Sequence, residues 1–255
     1  MTRVLLVLAA MLIAFGARAQ STNRLSEAEI EGRQLAQAIL QERPATNLVQ
    51  QGILRIEDSN RRVTTTQITF VTFVTNESWE AKYSVGQIIN GSNAFIRLVI
   101  VHQNRQSSEY FVARDVFKAG DDEMIALSIP KPLNETEIMA PFADSDFWIC
   151  DLGLEFFHWP DQKILKHESR RTRECAVLES TNPNPSPGTY SRVDSWIDNE
   201  TLGIVHAEAC DSNGKLLKVF DPKSFKKVND QWELQDMEIR NVQTRSRTWI
   251  KFDLK

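Results

Sequence analysis

The chain has 255 residues and a formal net charge of −4 at pH 7. This acidic balance offers no electrostatic basis for binding nucleic acid, so a nucleic-acid partner is not expected. Three of the residues are cysteine, which limits the chain to one disulfide with one thiol left over and does not choose the pair. The length allows one large domain or two small ones, and the strand-rich pattern described below favours one.

Residues 1–19 have the three parts of a secretory signal peptide. Arg3 supplies a positive start, the apolar run "VLLVLAAMLIAF" follows, and Ala17-Arg18-Ala19 forms a small-x-small cleavage site. The sequence therefore predicts an exported mature chain, residues 20–255. No later segment approaches ~18 consecutive apolar residues, so we expect no membrane span. The first cysteine is Cys150, so the mature chain is not expected to be a lipoprotein itself.

A helix is predicted at the start of the mature chain. Ser26 is followed three residues later by Glu29, which is the spacing of a capping box. Leu35, Ala36, Ile39 and Leu40 then form an apolar stripe before Pro44 ends the pattern. The helix is amphipathic and should lie on another part of the fold.

Apolar and polar residues alternate along most of the remaining chain, as in half-buried β-strands. For example, Trp79, Ala81, Tyr83 and Val85 share one face of their segment. Turn residues separate consecutive segments, so neighbouring strands should be antiparallel. The predicted strands are residues 52–57, 64–75, 79–89, 95–102, 109–117, 123–129, 163–167, 172–178, 191–198, 204–210, 216–220, 231–240 and 248–254.

Residues 130–160 interrupt the alternation. The stretch "FADSDFWICDLGLEFFHWP" mixes aromatic residues with carboxylates and predicts a helical or irregular segment packed on the sheet. Residues 182–188, "NPNPSPG", form a proline-rich loop that excludes regular structure. The pattern predicts a mainly β fold, with one large and strongly curved antiparallel sheet whose concave face must be filled.

The segment "AEACDSNGKLLKVF", residues 207–220, predicts a β-hairpin with a three-residue turn. The predicted register pairs Cys210 with Leu216, Ala209 with Leu217, Glu208 with Lys218 and Ala207 with Val219, which brings opposite charges together. It produces one small apolar face, formed by Ala207, Ala209, Leu217 and Val219. That face either lines a hollow or packs under a helix, and the sequence leaves both readings open.

No catalytic constellation is found. The four histidines, at positions 102, 158, 167 and 206, match no zinc-binding spacing, and no H-E-x-x-H or G-x-S-x-G motif occurs. Cys150 and His158 could form a thiol and a base, but their surroundings match no cysteine-protease signature. The sequence therefore predicts a protein that is not an enzyme, with no metal and no cofactor.

The region 144–255 contains "DSDFWICDL", "YSRVDSWID", "AEACDSNGKLLK" and "FKKVNDQWELQDMEIRNVQTRSRTWIKF". In spacing and strand sequence it resembles the LolA-like outer-membrane lipoprotein-sorting proteins, through Asp146, Phe147, Asp151 and Leu152 in the first stretch. The earlier residues agree with that family in layout only. Cys210 replaces a common Tyr, and Asp144 and Cys150 depart from the "G-S-D-F-x-x-E-D-L" form.

The resemblance implies an unclosed β-barrel wrapped around helices, with a hydrophobic cavity that receives the acyl chains of a lipoprotein, or a related lipid, in the periplasm. Such a carrier is expected to be monomeric and to depend on an inner-membrane transporter as donor and an outer-membrane acceptor. A second hypothesis is an accessory subunit of an inner-membrane RND/MMPL-type lipid or drug exporter. A hydrolase is a third reading and the least favoured.

Three groups of candidate site residues follow, each with a structural alternative. The cavity candidates could equally be core packing, the acidic and aromatic group could be a mobile lid or a fixed plug, and the basic group could contact an anionic surface or belong to a solvated strand pair. The cavity candidates are Trp79, Tyr83, Phe95, Ala207, Ala209, Leu217 and Val219; the lid candidates are Asp146, Phe147, Trp148, Asp151 and Leu152; the basic residues are Lys166, Arg170, Arg171 and Arg173.

Overall fold

The structure, a computed structural model, describes residues 24–89, 92–103, 106–117, 124–126, 129–228 and 231–254. The predicted signal peptide, residues 1–19, lies outside the described residues. So do residues 123 and 127–128 of the predicted strand 123–129; the backbone of Met124–Ala126 is described as a strand, and Ile129 is exposed outside any strand.

The predicted first helix is confirmed as α1 (Glu27–Gln41). The Ser26 hydroxyl accepts a hydrogen bond from the Glu29 N–H (3.3 Å), and the Glu29 carboxylate accepts one from the Ser26 N–H (2.7 Å), which completes the capping box. The buried positions of α1 are Gly32, Ala36 and Ile39, three or four residues apart. This spacing places them on one helix face.

The strands begin and end close to the predicted positions, because the alternation of apolar and polar residues marks them directly. The largest difference is in the twelfth strand, which continues eight residues past Phe220. The strands are β1 (Leu48–Glu57), β2 (Val63–Val74), β3 (Ser78–Ile89), β4 (Ser92–Gln103), β5 (Glu109–Phe117), β6 (Met124–Ala126), β7 (Lys131–Pro132), β8 (Asp161–Arg170), β9 (Arg173–Thr181), β10 (Tyr190–Asp198), β11 (Ile204–Asp211), β12 (Leu216–Val228), β13 (Gln231–Asn241) and β14 (Ser246–Phe252).

All fourteen strands belong to one antiparallel sheet, in the order β6-β5-β4-β3-β2-β1-β14-β13-β12-β11-β10-β9-β8, with β7 pairing β5. The first strand, β1, pairs with the last, β14. Among the described residues, the two ends of this order do not pair with each other. The sheet is therefore an unclosed antiparallel half-barrel, which confirms the predicted fold class.

The inner face of the half-barrel forms the main hydrophobic core. Ala81, Tyr83 and Val85 of β3 are buried in it, as their shared face predicted. Residues of β10 and β11 belong to the same buried cluster, although these strands lie far from β3 in the sheet order. Strands so distant can meet in one core only because the sheet curls strongly.

Residues 133–160, here called the plug segment, lie on the concave face. The segment has a short helix, α2 (Ile149–Leu152), and two 3₁₀ turns, Glu137–Met139 and Glu155–His158. This confirms the prediction of a helical or irregular segment packed in or over the concave face. Its buried apolar residues are Ile138, Met139, Phe142, Ala143, Phe147, Ile149, Cys150, Phe156 and Phe157.

Asp146 attaches the plug segment to β14. Its carboxylate accepts hydrogen bonds from the hydroxyls of Ser246 (2.6 Å) and Thr248 (2.9 Å), and its N–H donates to the Thr248 hydroxyl oxygen (2.9 Å). Asp146 and Thr248 are both buried. Hydrogen bonds to a charged group are among the stronger ones in proteins, so this contact fixes the position of the segment.

The predicted register of the β11–β12 hairpin is wrong beyond its first pairs. The turn forms as expected, because the Asp211 N–H donates to the Lys215 carbonyl (2.8 Å) and Cys210 pairs with Leu216. A β-bulge then makes Leu217 an extra residue, so that Ala209 faces Lys218 and Ala207 faces Phe220. One inserted residue moves every later side chain to the other face of the strand.

The disulfide that the sequence allowed does not form. All three cysteines lie within the described residues, and each is free and buried: Cys150 in α2, Cys175 in β9 and Cys210 in β11. Cys175 belongs to a separate small cluster on the sheet with Val177 and Trp196. Cys150 and Cys175 therefore act as small apolar core residues, whereas the Cys210 sulfur accepts a hydrogen bond from Arg192 (3.5 Å).

Helix α1 packs on β8 through Gly32. A Cβ atom added at this glycine would lie 2.6 Å from the Cα and N atoms of Lys163, which are backbone atoms and cannot rotate away. We therefore expect Gly32→Ala to lower the free energy of unfolding by about 1–3 kcal/mol through overpacking. The measurement is urea unfolding followed by circular dichroism.

In an exposed helix, replacing Gly by Ala raises stability by about 1 kcal/mol because of helix propensity. A decrease in stability for Gly32→Ala would therefore be due to packing. Gln34→Ala, at an exposed position of the same helix, serves as the control and should leave stability nearly unchanged. A Gly32→Ala variant as stable as the wild type would contradict the close approach of α1 and β8.

Candidate functional site

A cavity of about 560 Å³ lies between the plug segment and the inner face of the sheet. Small-molecule sites in proteins commonly occupy about 300–1,000 Å³, so the cavity has the size of a ligand site. Most of its lining is apolar or aromatic. These residues are Ile39, Leu40, Pro44, Phe70, Trp79, Ala81, Tyr83, Phe147, Leu152, Leu154, Phe156, Tyr190, Val193, Leu202, Ile204, Ala207, Ala209, Phe220, Phe225, Leu234, Met237 and Ile239.

The cavity opens to solvent near the end of β12. Phe225 lines the cavity and is also 50% exposed. Arg43, which follows α1, lines the cavity as well and donates hydrogen bonds to the carbonyl oxygens of Thr75 (2.5 Å) and Ser78 (3.3 Å). Its guanidinium therefore ties the chain after α1 to the β2–β3 turn.

Four of the seven predicted cavity residues line the cavity: Trp79, Tyr83, Ala207 and Ala209. Phe95 does not, because it lies on the outer face of β4 and is 43% exposed, whereas its neighbours Ala94 and Ile96 are buried. The two predicted residues from β12, Leu217 and Val219, are replaced in the lining by Lys218 and Phe220. The bulge that shifts the hairpin register is the cause.

Aromatic rings form the wall of the cavity on the β3 side. The ring centres of Phe70 and Tyr83 lie 4.8 Å apart. Trp79 stacks on the imidazole of His102, with the two ring centres 3.9 Å apart. Burial, together with the nearby His158, lowers the pKa of His102 to about 4. His102 is therefore neutral near pH 7 and adds no charge to this wall.

His102 also lines a second cavity of about 500 Å³, between α1 and the end of the plug segment. Its lining is more polar and includes Gln37, Gln103 and Gln162. The Ser108 hydroxyl lies 3.0 Å from His102 Nδ1 and 3.4 Å from His158 Nε2. The apolar and polar cavities thus share two lining residues, the neutral His102 and Leu40.

Four residues form a polar group at the apolar cavity, here called the Lys218 cluster: Trp148, Asp151, Tyr190 and Lys218. Tyr190 and Lys218 are buried, and Trp148 and Asp151 are half-buried. All of them except Trp148 line the cavity. Lys218 Nζ lies 3.5 Å from Asp151 Oδ2 and 3.7 Å from the centre of the Trp148 ring. Asp151 Oδ2 also accepts hydrogen bonds from the Trp148 N–H (2.8 Å) and the Tyr190 O–H (3.1 Å). Trp148 and Tyr190 stack at 4.3 Å.

Burial lowers the pKa of Lys218 to about 8, and the neighbouring Asp151 carboxylate opposes this change. The ammonium group is therefore still mostly protonated near pH 7. Lys218 was missed by sequence reasoning because the hairpin register assigned its side chain to the opposite face. The apolar pattern of β12 fits either register. This ambiguity is the signal in the sequence that could have indicated an inward-facing Lys218.

Cys150 does not have the properties of an activated nucleophile. Burial and the negative charge of Asp151 raise the pKa of the Cys150 thiol well above its usual range, so the thiol stays protonated. Burial lowers the pKa of His158. Within the described part of the chain, no group of three or more His, Cys, Asp and Glu side chains could hold a metal ion.

The five predicted lid residues all lie in the plug segment. Phe147 and Leu152 line the cavity, and the Phe147 ring contacts the edge of Phe220 at 6.4 Å. Asp146 is hydrogen-bonded to Thr248 of β14. Trp148 and Asp151 belong to the Lys218 cluster. These contacts agree with the reading of a fixed plug, and a mobile lid stays a prediction.

The four basic residues proposed for anionic contact lie on β8, β9 and the turn between them. Lys166 pairs with Glu168 (2.7 Å), Arg171 with Asp221 (3.1 Å) and Arg173 with Glu200 (3.3 Å). The Arg170 guanidinium lies 4.7 Å from the centre of the Trp196 ring. Each therefore has a partner within the fold, as the reading of a solvated strand pair expects, and contact with an anionic surface stays a prediction.

The open antiparallel sheet, its plug segment and the apolar cavity form the unclosed half-barrel that the resemblance seen in the sequence implies, and solved structures of that type share the fold. A DUF1329 family protein from Desulfovibrio piger shares this fold, with a TM-score of 0.66, 18% identity and coverage of 89% of this chain and 92% of that chain.

Two further solved structures are similar. A putative outer membrane lipoprotein-sorting protein domain from Vibrio parahaemolyticus has a TM-score of 0.66 at 16% identity, covering 88% of this chain and 91% of that chain. A LolA superfamily protein from Nitrosomonas europaea has a TM-score of 0.57 at 14% identity, covering 90% and 94%. At these identities the likeness establishes the fold.

A family model with the description "Uncharacterized protein" matches residues 124–254, just over half of the chain, and the chain belongs to that family. The match covers almost the same region as the resemblance seen in the sequence. A comparison with curated proteins finds no match. In the part of the chain that the structure describes, no helix is both long and apolar enough to span a membrane.

Glu155, in the plug segment, supplies a test of the buried site by pH. Burial raises the pKa of its carboxyl to about 7, although the hydrogen bond from the Tyr110 O–H (2.9 Å) opposes the change. A carboxyl with a raised pKa binds its proton more tightly in the folded state. Its contribution to stability is therefore present below about pH 4.5 and is lost as the pH rises to about 7.

We expect the unfolding free energy of the wild type to fall, relative to that of Glu155→Gln, by about 3 kcal/mol over this pH range, since a tenfold change in proton affinity is about 1.4 kcal/mol. Urea unfolding at several pH values measures it. The histidines titrate in both proteins, so their effects cancel in the difference. If the unfolding free energies of the wild type and Glu155→Gln changed with pH in the same way, the burial of this carboxyl would be contradicted.

Proposed function

We propose that the protein is a periplasmic carrier that holds an acyl chain of a lipoprotein, or of a related lipid, in the cavity between the plug segment and the sheet. An inner-membrane transporter would load it and an outer-membrane acceptor would unload it, because a soluble carrier has no energy source of its own. The predicted signal peptide supports export, and the LolA-like fold supports a carrier role.

The apolar cavity is the observation that carries this proposal. Protein cores are packed as densely as organic crystals, with few voids larger than a water molecule. An apolar cavity of about 560 Å³ is therefore unlike ordinary packing. Burying an acyl chain yields ~0.8 kcal/mol per CH₂ group, so binding needs little more than apolar walls that exclude water.

The similar structures support the same class of ligand. The Vibrio parahaemolyticus protein is described as a putative outer membrane lipoprotein-sorting protein domain. That description belongs to that protein, and the present proposal extends it to this chain because both the fold and an apolar cavity are present here.

The alternative, an accessory subunit of an inner-membrane RND/MMPL-type exporter, is favoured by a different feature. Val49, Ile53, Phe73 and Phe95 point outward from β1, β2 and β4 and are 43–67% exposed. An apolar outer face is a common feature of protein interaction surfaces. In this alternative the sheet would dock another protein, and the protein would co-purify with a membrane transporter at fixed stoichiometry.

A carrier should retain its cargo during purification. We expect organic extraction of protein purified from the periplasm without detergent, followed by mass spectrometry, to yield acyl-chain lipids in amounts comparable to the protein. An unrelated periplasmic protein of similar size, purified in parallel, is the control. Repeatedly empty preparations that still hold a transporter subunit would favour the alternative.

Filling the cavity should block binding without unfolding the protein. Ala209 lines the cavity, so in Ala209→Phe the new ring should occupy the space of the ligand. We expect affinity for a fluorescent acyl probe to fall by about tenfold or more, and the melting temperature to change little. A tenfold loss is expected because the new ring would exclude two or more CH₂ groups of the ligand, and their binding energy would be lost.

Gln67→Phe is the matched control, because it adds the same ring at an exposed position that does not line the cavity. It should bind the probe like the wild type. A large loss of stability in Ala209→Phe would instead identify the alanines as tightly packed core, the alternative that the sequence left open.

A further inference from the structure

Lys218 is a feature of the cavity wall that burial of an acyl chain does not explain. Its side chain is 1% exposed, yet it lines a cavity whose other walls are mainly apolar. Placing an ammonium group in such surroundings is costly unless the group is paired and hydrogen-bonded. A purely hydrophobic pocket would be more stable with a methionine or leucine at this position.

The described residues use only part of the hydrogen-bonding capacity of Lys218. An ammonium group has three N–H donors, and the structure provides one carboxylate oxygen, Asp151 Oδ2, at 3.5 Å. A strong charged hydrogen bond is shorter, about 2.7–2.9 Å. The same oxygen already accepts from the Trp148 N–H and the Tyr190 O–H at shorter distances, so its position is set by those two donors.

The two aromatic rings stabilise the cation without using its donors fully. Lys218 Nζ lies 3.7 Å from the centre of the Trp148 ring and 5.2 Å from that of Tyr190, both within the range of cation–π contacts. The rings therefore hold the ammonium group at the cavity wall. An N–H that is not directed at a ring or at Asp151 is available to a ligand.

The local charge selects the type of ligand atom. Lys218 and Asp151 form a pair of zero net charge, so an anionic group entering the cavity would be attracted by one and repelled by the other. It would also lose its hydration in an apolar site, which is the larger penalty. A neutral oxygen acceptor avoids both costs, and a carbonyl oxygen is the acceptor found where an acyl chain is joined to glycerol or to an amine.

We propose that Lys218 Nζ donates a hydrogen bond to the carbonyl oxygen of an ester- or amide-linked acyl chain, whose alkyl part fills the apolar remainder of the cavity. This inference rests on the proposed carrier function and adds the chemical group that the cavity recognises. Trp148, Tyr190 and Asp151 are positioning residues, because they hold Lys218 at the wall.

The test compares ligands with the same alkyl chain and different ends. The probes are methyl laurate, lauramide, lauric acid and dodecane, each measured by displacement of a fluorescent acyl probe from the full mature chain at pH 7. We expect the wild type to bind the ester and the amide roughly tenfold more tightly than dodecane, as for one hydrogen bond to a charged donor. Lauric acid, ionised at this pH, should bind more weakly than its ester.

The variant Lys218→Met should lose the preference for the ester and the amide while still binding dodecane. Because this variant leaves Asp151 without its cation, the double variant Lys218→Met/Asp151→Asn is the safer form. Its Asn side-chain oxygen can still accept from the Trp148 N–H and the Tyr190 O–H. Lys215→Met, in the exposed turn of the same hairpin, removes a lysine outside the cavity and should keep the wild-type preference.

The outcomes separate this inference from the function on which it rests. A wild type that binds none of the four ligands would overturn the carrier proposal itself. Equal affinity of the wild type for the ester and dodecane, or an unchanged ester preference in a folded double variant, would overturn the role of Lys218 and leave the carrier standing. A wild type that prefers lauric acid to its methyl ester would overturn the choice of a neutral carbonyl.

Discussion

The structure depends on the burial of the plug segment against the concave face of the sheet. An antiparallel sheet with one apolar face must cover that face, and a sheet that curls around itself encloses more space than its own side chains fill. Phe142, Phe147 and Phe156 of the plug segment fill part of this space. Asp146 then fixes the segment to Ser246 and Thr248 of β14, the strand that pairs with β1.

What the plug segment leaves unfilled becomes the candidate site. The same contacts that hold the segment also shape the cavity, because Phe147 and Leu152 face it while Asp151 orients the group around Lys218. An empty apolar space forfeits dispersion contacts with the atoms that would otherwise fill it. Stability is thus lower than a filled core would provide, and a bound acyl chain would restore those contacts.

Much of the fold could be predicted from the sequence, and less of the site. The capping box of α1, the alternation in β3 and the interruption at residues 130–160 are local patterns, and each produced the expected element. Phe95, a predicted cavity residue, does not line the cavity. In the structure the alternation of β4 places Ala94 and Ile96 inside and Phe95 outside.

The sequence by itself determined the kinds of element, their order and the apolar face of most strands, because these follow from contacts between residues near each other in the chain. Only the tertiary structure decided which side chains enter the cavity. A single extra residue at Leu217 turns Lys218 inward, and its partners Trp148, Asp151 and Tyr190 come from distant segments. Such a meeting depends on strand register and sheet curvature, which no local pattern specifies.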